Sequence, residues 1–552
     1  MPVITIQRKA FEDLVGEKLP TDKLKDRISY LGTGLEALDD KEITMEIFPN
    51  RPDLLSVQGF ARAFSSFIGK KTGLRKYSVH ESDKVVIIDH SVSTVRPYTA
   101  CAIVKGINYS DEKIKEVIQL QEKLHITFGR NRKKVAIGIY PMEKIEFPIT
   151  FLAKKPDEIK FQPLEFPREL TGTQILSQHP AGRDYAHLLE GKDRFPIFVD
   201  SNGQILSMPP IINSHITGKV SEDTKDVFIE CSGFDFNVLT RCLSIIVTAM
   251  SDMGGKVYSL KLKYPDKTIV TPNLEPTMFP LDHRYINRRL GTDLNQIEVK
   301  RCLERMGFGF QKNKVLVPAY RADILHQIDF AEDVAIAYGY ENFSPEIPNA
   351  ATVGSVDKFE SFKDKIADLL VGFGIQETNT YNLTSKEFQC DLMEAKFELI
   401  ELANSMSKEY NVLRAWAIPS LFEVLKNNMH NEYPQRIFCF GTVFEKSPDE
   451  ETGVKESDHL AVVFCSDSAD YTHARQLFDY ILSSTEVVAT FHPEEHKSFI
   501  SGRCAKVFLE GKNMGILGEV HPQVLRNWGL ELPVIAVELD LQVLFQKAHH
   551  KK

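Results

Sequence analysis

Two proline-containing stretches divide this chain into separate blocks. They are TPNLEPTMFP at 271–280 and EIPNAATVG at 346–354, and the second predicts a linker. Proline cannot continue a helix or a central strand. A chain of 552 residues is also too long for one hydrophobic core, since single cores stop growing at roughly 250–300 residues. We therefore predict a multidomain α+β protein with domains at 1–90, 91–268, 269–348 and 353–546.

Local patterns indicate what each block contains. The first block holds MEIFPNRPDLLSVQGFARAFSSFIG at 45–69, which predicts a turn followed by a helix capped by Asp53. It closes on the strand-like KVVIIDHSV at 84–92. The second block mixes short strands with amphipathic helices. The fourth opens with a helix and then alternates strands and loops, which predicts a mixed sheet.

Composition excludes several classes of protein. Hydrophobic content of 43% and charged content of 26% are typical of a globular protein. The net charge of −9 argues against a surface coated with basic residues, although a local basic patch stays possible. Eight cysteines without a CxxC pair predict buried free thiols. Apolar runs such as LSIIVTAM at 243–250 are too short to cross a bilayer. We expect a cytoplasmic protein without a membrane segment.

Four acids stand within the segment YRADILHQIDFAEDVAIAYGYE at 320–341. The second half of this segment predicts a helix, on which Asp329, Glu332 and Asp333 share one face, while Asp323 lies in the preceding loop. Acids favour a helix N-terminus because of its dipole. Alternatively, the four carboxylates could hold a hard cation such as Mg²⁺ or Ca²⁺. The pattern alone leaves both explanations open.

Several motifs together resemble a known family. The segment at 317–341 resembles the metal-associated module of the phenylalanyl-tRNA synthetase beta subunit, and EIFPNRPDLLSVQGFARAF at 46–64 resembles its N-terminal signature. LHITFGRNRKKVAIGIY at 124–140 and HPAGRDYAHLL at 179–189 resemble its editing region. NVLRAWAIPSLFEVLKNN at 411–428 and GILGEVHPQVL at 515–525 are similar to its C-terminal domain. The motifs occur in the family's order and resemble the short archaeal or eukaryotic-type form.

This resemblance implies a role for each domain. The first would be a helical and β module, the second an editing and tRNA-binding domain of mixed α/β structure, and the third a winged-helix-like metal module. The fourth would be an antiparallel sheet domain of class II synthetase type without catalytic motifs. The resemblance also implies that a bound Mg²⁺ offsets the repulsion among the four acids. Its ligands would be Asp323, Asp329, Glu332 and Asp333.

The resemblance further implies a division of labour between subunits. An alpha subunit would activate phenylalanine with ATP, within a heterotetramer of two alpha and two beta subunits that charges tRNA(Phe). A class II site holds phosphates with arginines. Here RIFCFGTVFEK offers only Arg436 at its outer end, and SFISGRCAKVF offers Arg503 without a glycine-rich setting. We therefore expect both arginines to serve surface or interface roles.

Editing is the chemistry that the resemblance leaves to this chain. Ungapped spacing within FPIFVDSNGQILSMPPIIN at 195–213 and VFIECSGFD at 227–235 carries the family's recognition pocket onto Phe198, Ser207, Glu230 and Ser232. Glu230 would accept the hydroxyl proton of a mischarged tyrosine, and Phe198 would pack against its ring. The two serines could equally be ordinary polar residues at strand ends.

Two questions stay open at this stage. His179, Arg183 and His187 could face the tRNA end or cap local structure, and GRNRKKVAIG at 129–138 could hold tRNA phosphate or form a solvated turn. The expected function is that of a beta subunit that binds tRNA and hydrolyses tyrosyl-tRNA. The alternative is a free-standing tRNA deacylase or RNA-binding scaffold without a synthetase partner.

Overall fold

The structure is a computed structural model that describes residues 2–347 and 353–549. The chain forms two compact units, Met1–Ile347 and Pro348–Lys552. The division falls at the second proline-containing stretch, and residues 348–352 of the predicted linker lie outside the described residues. The chain is therefore a mixed α and β protein of more than one domain, while the domain bounds predicted inside the first unit stay predictions.

The N-terminal part of the first unit packs helices on a small sheet. Its antiparallel strands lie in the order Val3–Gln7, Glu42–Glu46 and Gly34–Leu38. The helices are Arg8–Val15, Thr21–Tyr30 and Val57–Phe67. Phe11 lies 5.4 Å from Phe60 and 5.2 Å from Phe64 between ring centroids, so aromatic packing joins the first and third helices.

The cap of the helix Val57–Phe67 differs from the predicted one. The Ser56 hydroxyl accepts the Gly59 amide at 3.0 Å and caps this helix. Asp53 lies in the short 3₁₀ helix Pro52–Leu54, and its carboxylate accepts two hydrogen bonds from Arg51 at 2.9 and 2.8 Å. The prediction that Asp53 caps the helix was therefore wrong, because a buried guanidinium occupies both carboxylate oxygens.

Two larger sheets form the middle of the first unit. The five-stranded sheet has the order Val79–His80, Lys256–Tyr258, Tyr98–Lys105, Val227–Gly233 and Val135–Pro141. The seven-stranded sheet has the order Ile212–Asn213, Ile205–Met208, Phe195–Val199, Ile149–Lys154, Val85–Ile88, Leu260–Lys263 and Thr268–Thr271. A strand pair joins Leu170–Thr171 to Lys160–Phe161. The helices here are Asp111–Ile126, Gly172–Gln178, Pro180–Tyr185, His215–Gly218 and Phe236–Asp252.

The last part of the first unit carries the acidic segment. Three antiparallel strands lie in the order Thr277–Pro280, Lys314–Val317 and Gly309–Gln311. The helices are His283–Leu290, Gln296–Arg305 and Asp329–Tyr338. The predicted helix in the acidic segment is thus present, and it begins at Asp329.

The second unit is built on a seven-stranded sheet. Its order is Gln376–Glu377, Gln435–Lys446, Val454–Cys465, Val534–Asp540, Lys512–Val520, Phe499–Leu509 and Thr490–Pro493, and only the first pair is parallel. Leu460 and Val462 belong to the core on one face, and Ala461 and Val463 to the core on the other. Successive side chains of a strand point to opposite faces, so this strand is covered on both sides.

Helices and short strands surround that sheet. The helices are Lys358–Gly372, Ile418–Asn427, Tyr471–Ser484, Pro522–Trp528 and Leu541–His549, with a π-helical turn at Glu387–Asp391. A small sheet has the order Leu383–Thr384, Val412–Leu413 and Ile400–Glu401. In the first unit, 3₁₀ turns also lie at His90–Val92, Met142–Lys144, Pro156–Glu158, Ala186–Leu188 and Tyr340–Asn342.

Two predictions from composition can be compared with the structure. All eight cysteines are free thiols, and seven of them are buried, as predicted. Within residues 2–347 and 353–549, every helix is too short or too polar to cross a membrane.

Candidate functional site

Glu230 is a buried carboxyl in the middle of the five-stranded sheet. Its strand, Val227–Gly233, pairs on one side with Tyr98–Lys105 and on the other with Val135–Pro141. The residue is 1% exposed. Its Oε1 accepts a hydrogen bond from the Tyr140 hydroxyl at 3.3 Å, whereas Oε2 has no hydrogen-bond partner among the described residues. Burial raises the pKa of Glu230 to about 8, although Arg96, Tyr140 and Ser232 oppose this rise.

A cavity of about 170 Å³ lies against Glu230. This volume is smaller than the roughly 300 Å³ at the lower end of drug-sized pockets, so it suits a single side chain. Polar and apolar groups share its wall: Gln121, Glu122, His125, Arg132, Ala136, Ile137, Leu164, Pro209, Pro210, Ile211, Ile212, Asn213 and Glu230.

The four predicted pocket residues take different places. Glu230 lines the cavity, and the Ser207 hydroxyl lies 2.7 Å from the Tyr140 hydroxyl, which links it to Glu230. The Ser232 hydroxyl accepts a hydrogen bond from Arg96 Nε at 3.1 Å. Phe198 is fully buried and stacks on another ring, Phe151, at 4.3 Å. The structure therefore joins Ser207 to Glu230, while Phe198 packs inside the core.

The structure adds cavity residues that the sequence analysis did not name. His125 Nε2 accepts the Ile137 amide at 2.8 Å, so the neutral ring carries its proton on Nδ1, which lies 3.2 Å from Glu122. Burial lowers the pKa of His125. Both ring nitrogens are therefore engaged, and His125 acts as part of the wall.

Arg132 reaches the cavity from an unusual turn. Arg130, Asn131 and Arg132 have φ values of 49°, 51° and 64°, a left-handed conformation that is uncommon for residues other than glycine. The guanidinium of Arg132 donates to the Ile211 carbonyl at 2.8 Å and lies 4.3 Å from the ring of Tyr185. In the sequence, the signal for this residue was the basic cluster GRNRKKVAIG at 129–138. Of this cluster's basic residues, Arg132 lines the cavity.

The HPAGRDYAH stretch has a clear local role for its first histidine. His179 Nδ1 accepts the Ala181 amide at 3.1 Å and caps the helix Pro180–Tyr185. Arg183 and His187 are exposed. Capping of local structure therefore accounts for His179. Contact of Arg183 and His187 with the tRNA end stays a prediction.

The acidic segment contains its own counter-charge. Arg321, which is 2% exposed, donates from Nε and Nη2 to Asp323 at 2.8 and 2.7 Å, and from Nη2 to Asp333 at 2.7 Å. Asp329 Oδ2 accepts the backbone amides of Leu325 and His326 at 2.8 Å. Burial tends to raise the pKa of Asp333, and the neighbouring arginines oppose this. The guanidinium therefore offsets the charge of Asp323 and Asp333, and two amides that of Asp329, a role that the resemblance assigns to a bound cation.

The four acids do not form a metal-binding group in this arrangement. They border one cavity of about 330 Å³, which Arg51 and Arg321 also line. Within the described parts of the chain, no group of three or more His, Cys, Asp or Glu side chains could hold a metal ion. Mg²⁺ can also bind through only one or two carboxylates while it keeps several waters, so the magnesium site stays a prediction and no step below passes through it.

The two arginines of the second unit have structural partners. Arg503 Nη1 donates to Glu519 at 2.8 and 2.9 Å, and Arg436 lies 4.7 Å from the ring of Phe464. A different buried group, Glu538, accepts the Ala417 and Ile418 amides and lies 2.8 Å from His459 Nδ1. These contacts fix the sheet and the start of the helix Ile418–Asn427.

Comparisons with known proteins identify the family. Residues 279–340 match the model of the tRNA synthetase B5 domain, and residues 344–541 match that of the phenylalanyl tRNA synthetase beta chain CLM domain. The phenylalanine–tRNA ligase beta subunit of Pyrococcus abyssi is 43% identical over 99% of this chain and 100% of its own length. That of Archaeoglobus fulgidus is 38% identical over 99% of both chains.

A solved structure agrees with these relatives. The crystal structure of an N-terminal fragment of the phenylalanyl-tRNA synthetase beta subunit from Pyrococcus horikoshii is 39% identical. It superposes with a TM-score of 0.59 and covers 61% of this chain and 100% of the fragment. The chain belongs to the phenylalanine–tRNA ligase beta subunit family.

Proposed function

We propose that this chain is the editing subunit of its ligase and hydrolyses tyrosyl-tRNA(Phe) made in error. Membership of the beta subunit family implies that the chain has an alpha subunit as partner and binds tRNA. The alpha subunit would perform ATP-dependent charging of tRNA(Phe), in an assembly of two alpha and two beta subunits located in the cytoplasm. The pocket at Glu230 would take the misplaced amino acid.

The observation that carries this proposal is a buried carboxyl with one unpaired oxygen beside a small cavity. Glu230 Oε2 lacks a hydrogen-bond partner among the residues that the structure describes, and an unsatisfied buried polar group costs roughly 1–3 kcal/mol. A tyrosine hydroxyl entering the cavity would satisfy this oxygen, whereas phenylalanine would leave it unpaired. A site that hydrogen-bonds a substrate hydroxyl rejects the analogue that lacks it, while an apolar pocket cannot do the reverse.

The protonation of Glu230 suits it to recognition. With a pKa of about 8, the carboxyl is mostly neutral at pH 7, so it offers both an O–H donor and a carbonyl acceptor. A phenol has the same two capacities. Glu230 is assigned the binding of the tyrosine hydroxyl. It is not assigned the activation of water for ester hydrolysis.

The second unit supports the division of labour between the subunits. Arg503 is engaged with Glu519, and Arg436 packs on Phe464, so neither lies in the setting that a phosphate-binding arginine of a class II site requires. We expect the chain alone to show no phenylalanine-dependent exchange between ATP and pyrophosphate, and addition of the alpha subunit to restore it.

The test of editing is a single substitution in the assembled enzyme. Glu230→Ala should slow the hydrolysis of preformed tyrosyl-tRNA by roughly ten- to a hundredfold, as expected for the loss of a hydrogen bond of 1.5–3 kcal/mol. Charging with phenylalanine should stay within about twofold of wild type, because synthesis would occur in the other subunit.

Glu116→Gln is a matched control in the same region. Glu116 accepts a hydrogen bond from Gln58 at 2.7 Å and does not line the cavity, so its hydrolysis rate should equal that of wild type. Hydrolysis by Glu230→Ala at the wild-type rate would remove Glu230 from the site. Purification of the chain without any alpha subunit, together with deacylation by the chain alone, would favour the free-standing deacylase.

A further inference from the structure

Tyr140 connects two residues of the candidate pocket from inside the protein. Its side chain is fully buried, and its hydroxyl lies 2.7 Å from Ser207 Oγ, 3.3 Å from Glu230 Oε1 and 3.4 Å from Asn213 Oδ1. None of the motifs in the sequence predicted this contact. A phenol from the chain itself thus occupies one oxygen of the carboxyl that we assign to a substrate phenol.

The sheet register holds Tyr140 and Glu230 together. Tyr140 lies opposite Phe228, and Gly138 lies opposite Glu230, on adjacent antiparallel strands. Residues two apart on a strand share a face, so the phenol and the carboxyl meet over Gly138. A Cβ at position 138 would lie 2.1 Å from the Tyr140 hydroxyl and 2.7 Å from Glu230 Oε1. Any side chain at this position would therefore separate the pair.

This arrangement divides the two carboxyl oxygens of Glu230 between two tasks. Oε1 is bonded to Tyr140, and Oε2 is left without a partner in residues 2–347 and 353–549. We infer that Tyr140 is the positioning residue that orients the Glu230 carboxyl, so that a bound tyrosyl group is recognised by a carboxyl shared between two phenols. The inference rests on the proposed function, since it concerns the same pocket.

The single hydroxyl proton of Tyr140 determines the direction in which the pKa of Glu230 should shift in each variant. A phenol has one proton, so Tyr140 can donate to Ser207 or to Glu230 but not to both at once. Donation to Glu230 favours its ionised form, and the pKa of Glu230 is lowered by this bond. Tyr140→Phe should therefore raise the pKa of Glu230. Ser207→Ala should lower it, because the phenol proton then has one competitor fewer.

The other groups around the carboxyl are unchanged by these substitutions. Arg96 lowers the pKa of Glu230 through its charge, and Ser232 lowers it too. Cys101 lies opposite Glu230 on the neighbouring strand, and burial holds the pKa of its thiol above the usual range. His125, Glu122 and Arg132 stand on the wall of the cavity. Opposite shifts of the pKa of Glu230 in Tyr140→Phe and Ser207→Ala would therefore identify the Tyr140 hydroxyl as the source of both shifts.

The experiment uses the assembled enzyme and two readouts. The first is the rate of hydrolysis of preformed tyrosyl-tRNA, which should fall roughly two- to tenfold in Tyr140→Phe because a neutral hydrogen bond is lost. The second is the pKa of Glu230 in the tRNA-free protein, followed by infrared difference spectra with Glu230→Gln to assign the band. Tyr109→Phe is the matched control, since the buried Tyr109 hydroxyl has no hydrogen-bond partner in the part of the chain that the structure describes.

Each outcome has one meaning. A raised pKa with slower hydrolysis in Tyr140→Phe, and a lowered pKa in Ser207→Ala, support the positioning role. An unchanged pKa and rate in Tyr140→Phe overturn it, and should that variant not fold, an unchanged pKa in Ser207→Ala overturns it instead. Absence of tyrosyl-tRNA hydrolysis by the wild-type enzyme overturns the proposed function and this role in it, even if the pKa shifts show that Tyr140 and Glu230 are coupled.

Discussion

Arg321→Met is the substitution that best separates an internal counter-charge from a bound metal. Arg321 is 2% exposed and makes three hydrogen bonds to Asp323 and Asp333, and Asp333 is itself 4% exposed. Methionine keeps the unbranched apolar stem but removes the charge, which leaves two carboxylates facing each other. Removal of one partner from a buried ion pair costs about 3–5 kcal/mol.

The size of the effect can be calibrated inside the same chain. Arg503 also makes two hydrogen bonds to one carboxylate, on Glu519, but its side chain is 55% exposed. Glu519 is itself 8% exposed, so only the guanidinium of this pair is screened by water, and Arg503→Met is a control with a smaller expected loss than Arg321→Met. Arg321→Met combined with Asp333→Asn should recover part of the loss, because the substitution removes the uncompensated charge.

The assay combines thermal melts with hydrogen exchange. Arg321→Met should lower the melting temperature well below that of Arg503→Met and speed amide exchange in the helix Asp329–Tyr338. A loss no larger than that of Arg503→Met would refute the reasoning from the buried network.

Melts in EDTA and in excess Mg²⁺ test the ion directly. The network of Arg321 predicts identical wild-type melts in the two conditions. A bound ion at a hundred times its dissociation constant would instead add about 2.7 kcal/mol. A magnesium-dependent rise that Asp329→Asn abolishes would establish the site predicted from the resemblance.

Three further perturbations have signs that follow from the structure. Because the pKa of Glu230 rises from 4.5 to about 8 on folding, the native state holds a proton that the unfolded chain releases in this range. The free energy of unfolding should therefore fall from about pH 4.5 to 8, by up to about 1.4 kcal/mol per pH unit. The free energy of unfolding of Glu230→Gln, measured in denaturant, should lack this fall between pH 4.5 and 8. Parallel curves of unfolding free energy against pH for the variant and the wild type would contradict the prediction. Ser56→Ala should cost about 1 kcal/mol through loss of the helix cap, measured by the same unfolding. Phe198→Ala should cost about 3–5 kcal/mol, and a loss of tyrosyl-tRNA hydrolysis at unchanged stability would instead place Phe198 in the pocket.

Patterns set by neighbouring residues were predictable from the sequence. The helix Asp329–Tyr338 follows from its apolar spacing and from the glycine that ends it. The long strands Gln435–Lys446 and Val454–Cys465 follow from β-branched and aromatic runs. Each of these signals lies within about a dozen residues, which is the range over which periodicity carries information.

Strand partners were not predictable in this way. Val85–Ile88 was assigned to the first domain, but it pairs in parallel with Ile149–Lys154 and with Leu260–Lys263 in the seven-stranded sheet. Val79–His80 likewise pairs with Lys256–Tyr258 in the five-stranded sheet. These partners lie far away in the sequence, and nothing in a four-residue apolar run says which strands it will pair with.

The candidate site shows the same limit at the level of single side chains. Glu230 and Ser207 could be placed by motif, but Tyr140 is 90 residues from the first and 67 from the second. Its place depends on the register of two strands and on the absence of a side chain at Gly138. The cap at Ser56 was missed for a more local reason: aspartate and serine are equally good capping residues, and the sequence does not show that Arg51 occupies the oxygens of Asp53.

The two acidic sites differ in how their charge is compensated, and that difference supports the proposal that Glu230 serves a ligand. Asp323 and Asp333 are bonded to the charged guanidinium of Arg321, so the charge of these two carboxylates is compensated within the protein. Glu230 has a neutral phenol on one oxygen and no partner on the other within the described part of the chain, and burial keeps the pKa of its carboxyl high. A buried polar group without a partner is costly, and beside a cavity a ligand can supply the missing bond. The unpaired carboxyl, more than the larger group of acids, is therefore where we expect this subunit to bind its substrate.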